Sequence, residues 1–94
     1  MTLPVTVRIE LAHALAELAG GADVVEVPGG TVGEALAALT ARYPALAPLV
    51  WRGGQFNDQL VAFVGNDDAR RLQGMDTPLR PGVRLMLITA VEGG

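Results

Sequence analysis

The sequence predicts an α+β domain in which one helix packs across one mixed sheet. Three observations predict it: a period-two strand at the start of the chain, one strongly capped helix lying between two strands before it and two or three after it, and a length of 94 residues, which admits one core and not two. Half of the residues are hydrophobic but only 4% are aromatic, so the interior must be built mainly from Val, Leu and Ala.

In "VTVRIE" Val5, Val7 and Ile9 alternate with Thr6, Arg8 and Glu10, the pattern of a strand with one buried face. "LAHALAELAGG" has helical spacing at Leu11, Leu15 and Leu18 and is stopped by Gly20 and Gly21. "DVVEV" is a second, β-branched strand, closed by a turn at "PGG". In "TVGEALAALTARYP" Thr31 and Glu34 have the spacing of a capping box, which predicts a helix from about Val32 to Tyr43. Its apolar stripe is Val32, Leu36, Leu39 and Tyr43, and Pro44 opposes continuation. "ALAPLVWRGGQFNDQ" is a longer connection with one helical turn before Gly53 and Gly54. "LVAFVG" is a short strand, apolar on both sides; "NDD" is a turn, "ARRL" a short edge strand and "RPG" another turn. "VRLMLITAV" is the last strand. Because a helix intervenes between the first two strands and the later ones, the sheet is expected to be mixed.

Several function classes are excluded or weakened by what the chain lacks. The net charge of −3 has the wrong sign for a domain that neutralises phosphates, so nucleic acid is not an expected partner. No apolar run approaches the ~18–20 residues of a membrane span, and "MTLPVTVRIE" does not read as a signal peptide, so a cytoplasmic location is expected. There is no cysteine, hence no disulfide, thiolate metal site or cysteine nucleophile. All seven cations are arginine, so no Schiff-base lysine exists. "PGGTVGEAL" has the glycine-rich approach of a phosphate loop but neither its lysine nor its glycine spacing, and reads as a turn plus helix cap. Asn66, Asp67 and Asp68 lack the further ligands of a calcium loop. His13 has no visible catalytic partner, and Trp51 reads as a core or rim residue.

Three features remain. Arg70 and Arg71 either decorate a solvated edge strand or offer a carboxylate-binding face to a protein partner. Met86 and Ile88, with Arg84 and Ala90, occupy the face of the last strand opposite Val83, Leu85, Leu87 and Val91. That face is either a partner surface or is covered by the connection 45–59. The third feature is the terminus: an apolar strand runs through Ala90, Val91 and Glu92 into Gly93 and Gly94. The expected organisation is a domain over residues 1–89 and a flexible tail over 90–94. A carboxylate is a poor electrophile until activated, most simply by transfer of AMP from ATP. An extended tail of this length projects about 15 Å, and glycine allows a narrow passage into another protein's active site.

The strand and helix order, the capped helix, "VGNDD" and the terminal "RPGVRLMLITAVEGG" resemble the ubiquitin-like sulfur carriers of the ThiS/MoaD family. The resemblance covers most of the chain; its specific parts are the Gly-Gly terminus and the strand before it. It implies a β-grasp fold with the last strand lying centrally beside the first, in a sheet of four to five strands carrying one main helix. It implies that the protein is not an enzyme and permanently binds no cofactor. A MoeB/ThiF-like activating enzyme uses ATP to adenylate Gly94, and sulfur is then carried covalently as a thiocarboxylate. The outer face of the last strand docks on that enzyme, which favours an exposed Met86 and Ile88. The ending "AVEGG" and the long middle connection look most like the carriers for cysteine synthesis, which implies a pyridoxal-phosphate cysteine synthase as acceptor and a metalloprotease that releases the product. The small subunit of molybdopterin synthase, with the large subunit as acceptor, is the alternative. So is a ubiquitin-like modifier or interaction module, although a chain without lysine cannot build lysine-linked chains on itself. The β-grasp resemblance also implies a plain hairpin connection over residues 11–18, with tertiary context overriding their helical spacing.

Overall fold

The computed structural model describes residues 6–90. Strand β1 (Thr6–Leu11) and strand β2 (Val24–Pro28) pair antiparallel, with Ile9 opposite Val25 and Val7 opposite Val27. Helix α2 (Val32–Arg42) follows; strand β5 (Leu60–Val64), the two-residue strand β6 (Asp67–Asp68) and strand β7 (Arg84–Thr89) complete a five-stranded sheet of order β2-β1-β7-β5-β6. β7 runs parallel to β1 and antiparallel to β5, so the mixed sheet predicted from the intervening helix is present, with the last strand at its centre. This is the β-grasp arrangement.

One face of the sheet carries α2. Val7, Ile9, Val25, Val27, Leu85 and Leu87 point to it and are at most 3% exposed. The helix answers with Val32, Ala35, Leu36 and Leu39, the 3.6-residue spacing of an apolar stripe. Each of these Val, Ile and Leu side chains contributes about 1.5–3 kcal/mol by leaving water. The predicted cap forms: the Thr31 hydroxyl accepts from the Glu34 N–H at 3.1 Å. The Glu34 carboxylate reaches back one residue further than in the usual box and accepts from the Gly30 N–H at 2.8 Å. The Gly30, Val32 and Glu34 N–H groups, which a phosphate would need, are thus taken by Glu34, by the Thr77 carbonyl and by Thr31 respectively. Gly29 is required here because a Cβ would lie 2.7 Å from the Ala35 nitrogen, so the turn rests directly on the helix backbone. On the free edge of β2 the Glu26 carbonyl accepts from Arg42 Nη1 at 3.2 Å, which covers one exposed ladder group.

The connection between β1 and β2 corrects one expectation. The helical spacing is not overridden: α1 (His13–Ala16) continues into a 3₁₀ turn (Glu17–Ala19), while Leu11 ends β1. Leu15, Ala16 and Ala19 are buried, so the turn closes the end of the core and tertiary packing favours it, whereas Leu18 faces solvent. After α2, Tyr43 caps the helix and Pro44–Leu46 forms a 3₁₀ turn. Helix α3 (Ala47–Val50) supplies the predicted helical turn, and a hairpin of β3 (Trp51–Arg52) and β4 (Gln55–Phe56) follows. Gly53 and Gly54 turn that hairpin with positive φ at both positions. Leu46 and Val50 are fully buried among the core residues, which holds this connection on the helix-bearing side.

The predicted edge strand "ARRL" is the second correction. Only Asp67–Asp68 pairs with β5, after a turn at Gly65 and Asn66, and Ala69–Arg71 is a 3₁₀ turn. Asp68 caps that turn by accepting from the Arg70 N–H at 2.9 Å, and Ala69 drops into the core. Local capping and the burial of one alanine thus end the strand after two residues. No helix among the described residues is long and apolar enough to cross a membrane.

Candidate functional site

Alternation along β7 sends Leu85 and Leu87 to the helix and Arg84, Met86 and Ile88 to the opposite, outer face. The connection 45–59 packs on the other side, so it does not cover them. That connection leaves Met86 and Ile88 half-buried on the outer face.

Register extends this face across the whole sheet. Val24, Glu10, Met86, Phe63 and Asp68 form one continuous cross-strand row, because each is paired with the next. Ile88 pairs with Val61 one step toward the tail, while Glu26, Arg8 and Arg84 form a polar row on the other side. The middle of the face is therefore an apolar strip of Met86, Ile88, Val61 and Phe63. Val61 is 8% exposed yet is absent from the main core cluster, as its outward position requires. Val61 and Phe63 were not singled out from the sequence. The signal was present in "LVAFVG", since a strand apolar on both sides of a sheet with one covered face must present its second side elsewhere.

Two ion pairs bracket the strip. On one side Arg84 donates through both Nε and Nη2 to the Glu10 carboxylate, the latter at 3.1 Å. On the other, Arg70 Nη2 donates to Asp68 Oδ2 at 2.7 Å and Nε to Oδ1 at 3.2 Å. Hydrogen bonding from the Arg70 guanidinium holds the Asp68 carboxyl below its ordinary value, against the opposing effect of burial. Arg70 is thus committed to its neighbour as well as exposed, while Arg71 is exposed at the same corner. An apolar centre with a charged rim is the usual anatomy of a protein–protein contact.

The strip leads toward the tail. β7 ends at Thr89, and the exposed Ala90 anchors the chain's exit through its N–H, which donates to the Gln59 carbonyl at 2.8 Å. Val91, Glu92, Gly93 and Gly94 lie outside the described residues. Elsewhere the other candidates resolve as structural groups. His13 pairs with Glu17 at 3.0 Å on the surface, and the Trp51 indole N–H donates to Thr40 Oγ1 at 3.1 Å while its ring meets Phe56 edge-to-face. Among the described residues no cluster of three His, Cys, Asp or Glu side chains is placed to hold a metal ion.

The fold is that of a small ubiquitin-like protein. The chain belongs to the ThiS family, whose model matches residues 9–94; its members are ubiquitin-like sulfur carriers and modifiers. Among solved structures it is similar to small archaeal modifier protein 1 from Haloferax volcanii at 30% identity and a TM-score of 0.81, over 95% of this chain and 99% of that one. It shares its fold with small archaeal modifier protein 1 from Methanosarcina acetivorans at 24% identity and a TM-score of 0.86, over 99% of this chain and 100% of that one. It shares it also with a chain of the BexX/CysO complex from Amycolatopsis orientalis at 24% identity and a TM-score of 0.85, over 94% and 99% respectively. No curated protein matches the sequence.

Proposed function

We propose that the chain is a cytoplasmic sulfur carrier whose working group is the carboxylate of Gly94. An ATP-dependent activating enzyme of the MoeB/ThiF type docks on the outer face through the half-buried Met86, Ile88 and Phe63, which pack around the buried Val61, with Arg70, Arg71 and Arg84 at the rim. It draws residues 90–94 into its nucleotide site. A Gly94 carboxylate oxygen bonds to the α-phosphorus of ATP as pyrophosphate leaves. A sulfide-level sulfur nucleophile supplied by the partner then forms a C–S bond as AMP departs with that oxygen, leaving a thiocarboxylate. The domain supplies no catalytic group; it supplies a docking face and a tail narrow enough to enter.

The observation that carries this reading is the continuity of β7 with the Gly-Gly tail. One central strand presents the apolar strip on its outer face and, one residue beyond its end, delivers the chain toward Gly94. For the destination of the sulfur we favour cysteine synthesis on a pyridoxal-phosphate synthase, with a metalloprotease releasing the product. The likeness of fold to a chain of the BexX/CysO complex and the ending "AVEGG" support that choice over the small subunit of molybdopterin synthase. A second reading, single attachment to another protein's lysine through Gly94, is favoured by the 30% identity to a protein described as a modifier. Both share the adenylation step.

The test is alkylation of the protein isolated from its native host with a thiol reagent, followed by fragmentation of the intact chain. A chain without cysteine offers no other thiol, so an adduct confined to Gly94 identifies a thiocarboxylate. Absence of the adduct together with isopeptide-linked larger species would select the modifier reading instead.

A further inference from the structure

We propose that a cavity on the helix-bearing side of the sheet, where β7 ends, binds a small branched aliphatic monocarboxylate. The cavity, of about 330 Å³, is lined by Leu15, Leu49, Arg52, Gln59, Leu60 and Thr89, among others. That volume lies at the lower end of the roughly 300–1,000 Å³ of small-molecule sites, so it suits a short acid and not a nucleotide or an extended peptide.

The wall is pre-formed, and several of its polar groups are already engaged. The Asn57 side chain donates to the Leu49 carbonyl at 2.8 Å and accepts from the Gln59 N–H at 3.0 Å. The Gln59 carbonyl in turn accepts from the Ala90 N–H at 2.8 Å. These bonds hold Leu49, Gln59 and the end of β7 around one rim before any ligand arrives, so binding has little chain to order.

The groups not so engaged describe the ligand. Ala14, Leu15, Leu49 and Leu60 give an apolar lining that takes a branched hydrocarbon body. Arg52 is the one charged residue among the described residues of the lining; it is exposed and forms no ion pair among the described residues. A guanidinium beside an apolar pocket pairs with a carboxylate, in a charge-assisted contact. With no acidic residue in that lining, a positive group on the ligand finds no counter-charge, which disfavours α-amino acids. The Thr89 hydroxyl is buried and has no hydrogen-bond partner among the described residues, an arrangement that proteins usually avoid. Rotation about its Cα–Cβ bond exchanges hydroxyl and methyl and turns a donor into the cavity that Thr89 lines.

The site is separate from the sulfur chemistry proposed for Gly94 and lies on the face opposite the apolar strip, so its test needs no partner enzyme. The test is a titration of the full-length chain with isocaproate, read by NMR of labelled methyl groups. The expected result is saturable shifts at Leu15, Leu49 and Leu60 with a dissociation constant of about 1 mM, as a ligand of this size allows. Isocaproamide, which lacks the charge, and free leucine, which adds an ammonium, should each bind at least about tenfold more weakly. Arg52→Gln, at an exposed position, should abolish the preference for the acid over the amide. Thr89→Val should weaken binding of the acid while raising the Tm of the unliganded protein, because the orphaned hydroxyl is gone; a threonine with a structural role alone would not move the two in opposite directions. Absence of saturable shifts with isocaproate, or equal affinity for acid and amide, would overturn the proposal. So would an Arg52→Gln protein that binds both as the wild type does.

Discussion

Replacing Met86 with aspartate separates docking from folding. Met86 stands in register between Glu10 and Phe63 on the outer face and is only half-buried, so a carboxylate there keeps contact with water. The domain loses the apolar contact with Phe63 and acquires like-charge repulsion with Glu10, each worth about 0.2–1 kcal/mol. Their sum, about 0.4–2 kcal/mol, leaves a small domain of ordinary stability folded. On the docking role proposed above for this strip, the effect on binding is larger. A charge in the middle of an apolar contact strip costs on the order of 2–4 kcal/mol when that strip is the energetic centre of the interface. At ~1.4 kcal/mol per decade, the dissociation constant for the activating enzyme rises roughly 30- to 1000-fold. Urea unfolding measures the first quantity; titration against the enzyme, with pyrophosphate release as the readout of adenylation, measures the second. Met86→Lys is the companion variant: its ammonium faces Glu10 favourably, so stability recovers while docking stays impaired. Binding of the aspartate variant within a factor of about two of wild type would refute the assignment of the strip. Unfolding of both variants would place Met86 in the core.

Gly29→Ala should lower stability by about 1–3 kcal/mol, because the new Cβ would lie 2.7 Å from the Ala35 nitrogen and 2.8 Å from its Cα, and neither can yield without moving α2. Calorimetry should show a fall in Tm of several degrees, and an unchanged Tm would mean the turn does not rest on the helix. Asp68→Asn should destabilise the fold at neutral pH: the Arg70 contact lowers the native pKa, so its stabilisation is complete above the unfolded carboxylate value of about 3.9 and is lost as pH falls through the native value. Acid unfolding curves of the two proteins should therefore converge at low pH, and a constant offset would assign the effect to something other than ionisation. Gly94→Ala should leave Tm unchanged while sharply reducing thiocarboxylate formation; a large fall in Tm would show that the terminal residue packs on the domain.

The elements legible from sequence were those whose burial follows a simple period. β1 and β7 alternate cleanly because each has one face on the helix, and α2 announces itself through Thr31 and Glu34 as well as its stripe. The position of β7 beside β1 came only from family resemblance, since parallel pairing over more than seventy residues leaves no local mark. The β3–β4 hairpin escaped because two residues per strand are too few to show a period. The 3₁₀ turn at Ala69–Arg71 escaped because its cause is a capping aspartate that looked like part of a turn. At residues 13–19 local spacing was the better guide: Leu15, Ala16 and Ala19 have a core end to close, so packing reinforced the helix that the family pattern argued against. Met86 and Ile88 were identified by alternation on their own strand. Val61, Phe63 and the Glu10–Arg84 pair needed the register of three strands, β1, β7 and β5, before they could be seen as one surface.

The central place of β7 has a mechanical consequence. The strand is hydrogen-bonded along both edges, to β1 in parallel and to β5 in antiparallel register. A partner that grips the tail and shifts it pulls along the strand axis, so both ladders resist in shear, many bonds at once. An edge strand pulled sideways would instead unzip bond by bond. The tail is therefore tethered where the domain is stiffest, and tension applied during insertion or withdrawal spreads through the sheet before it can open the fold.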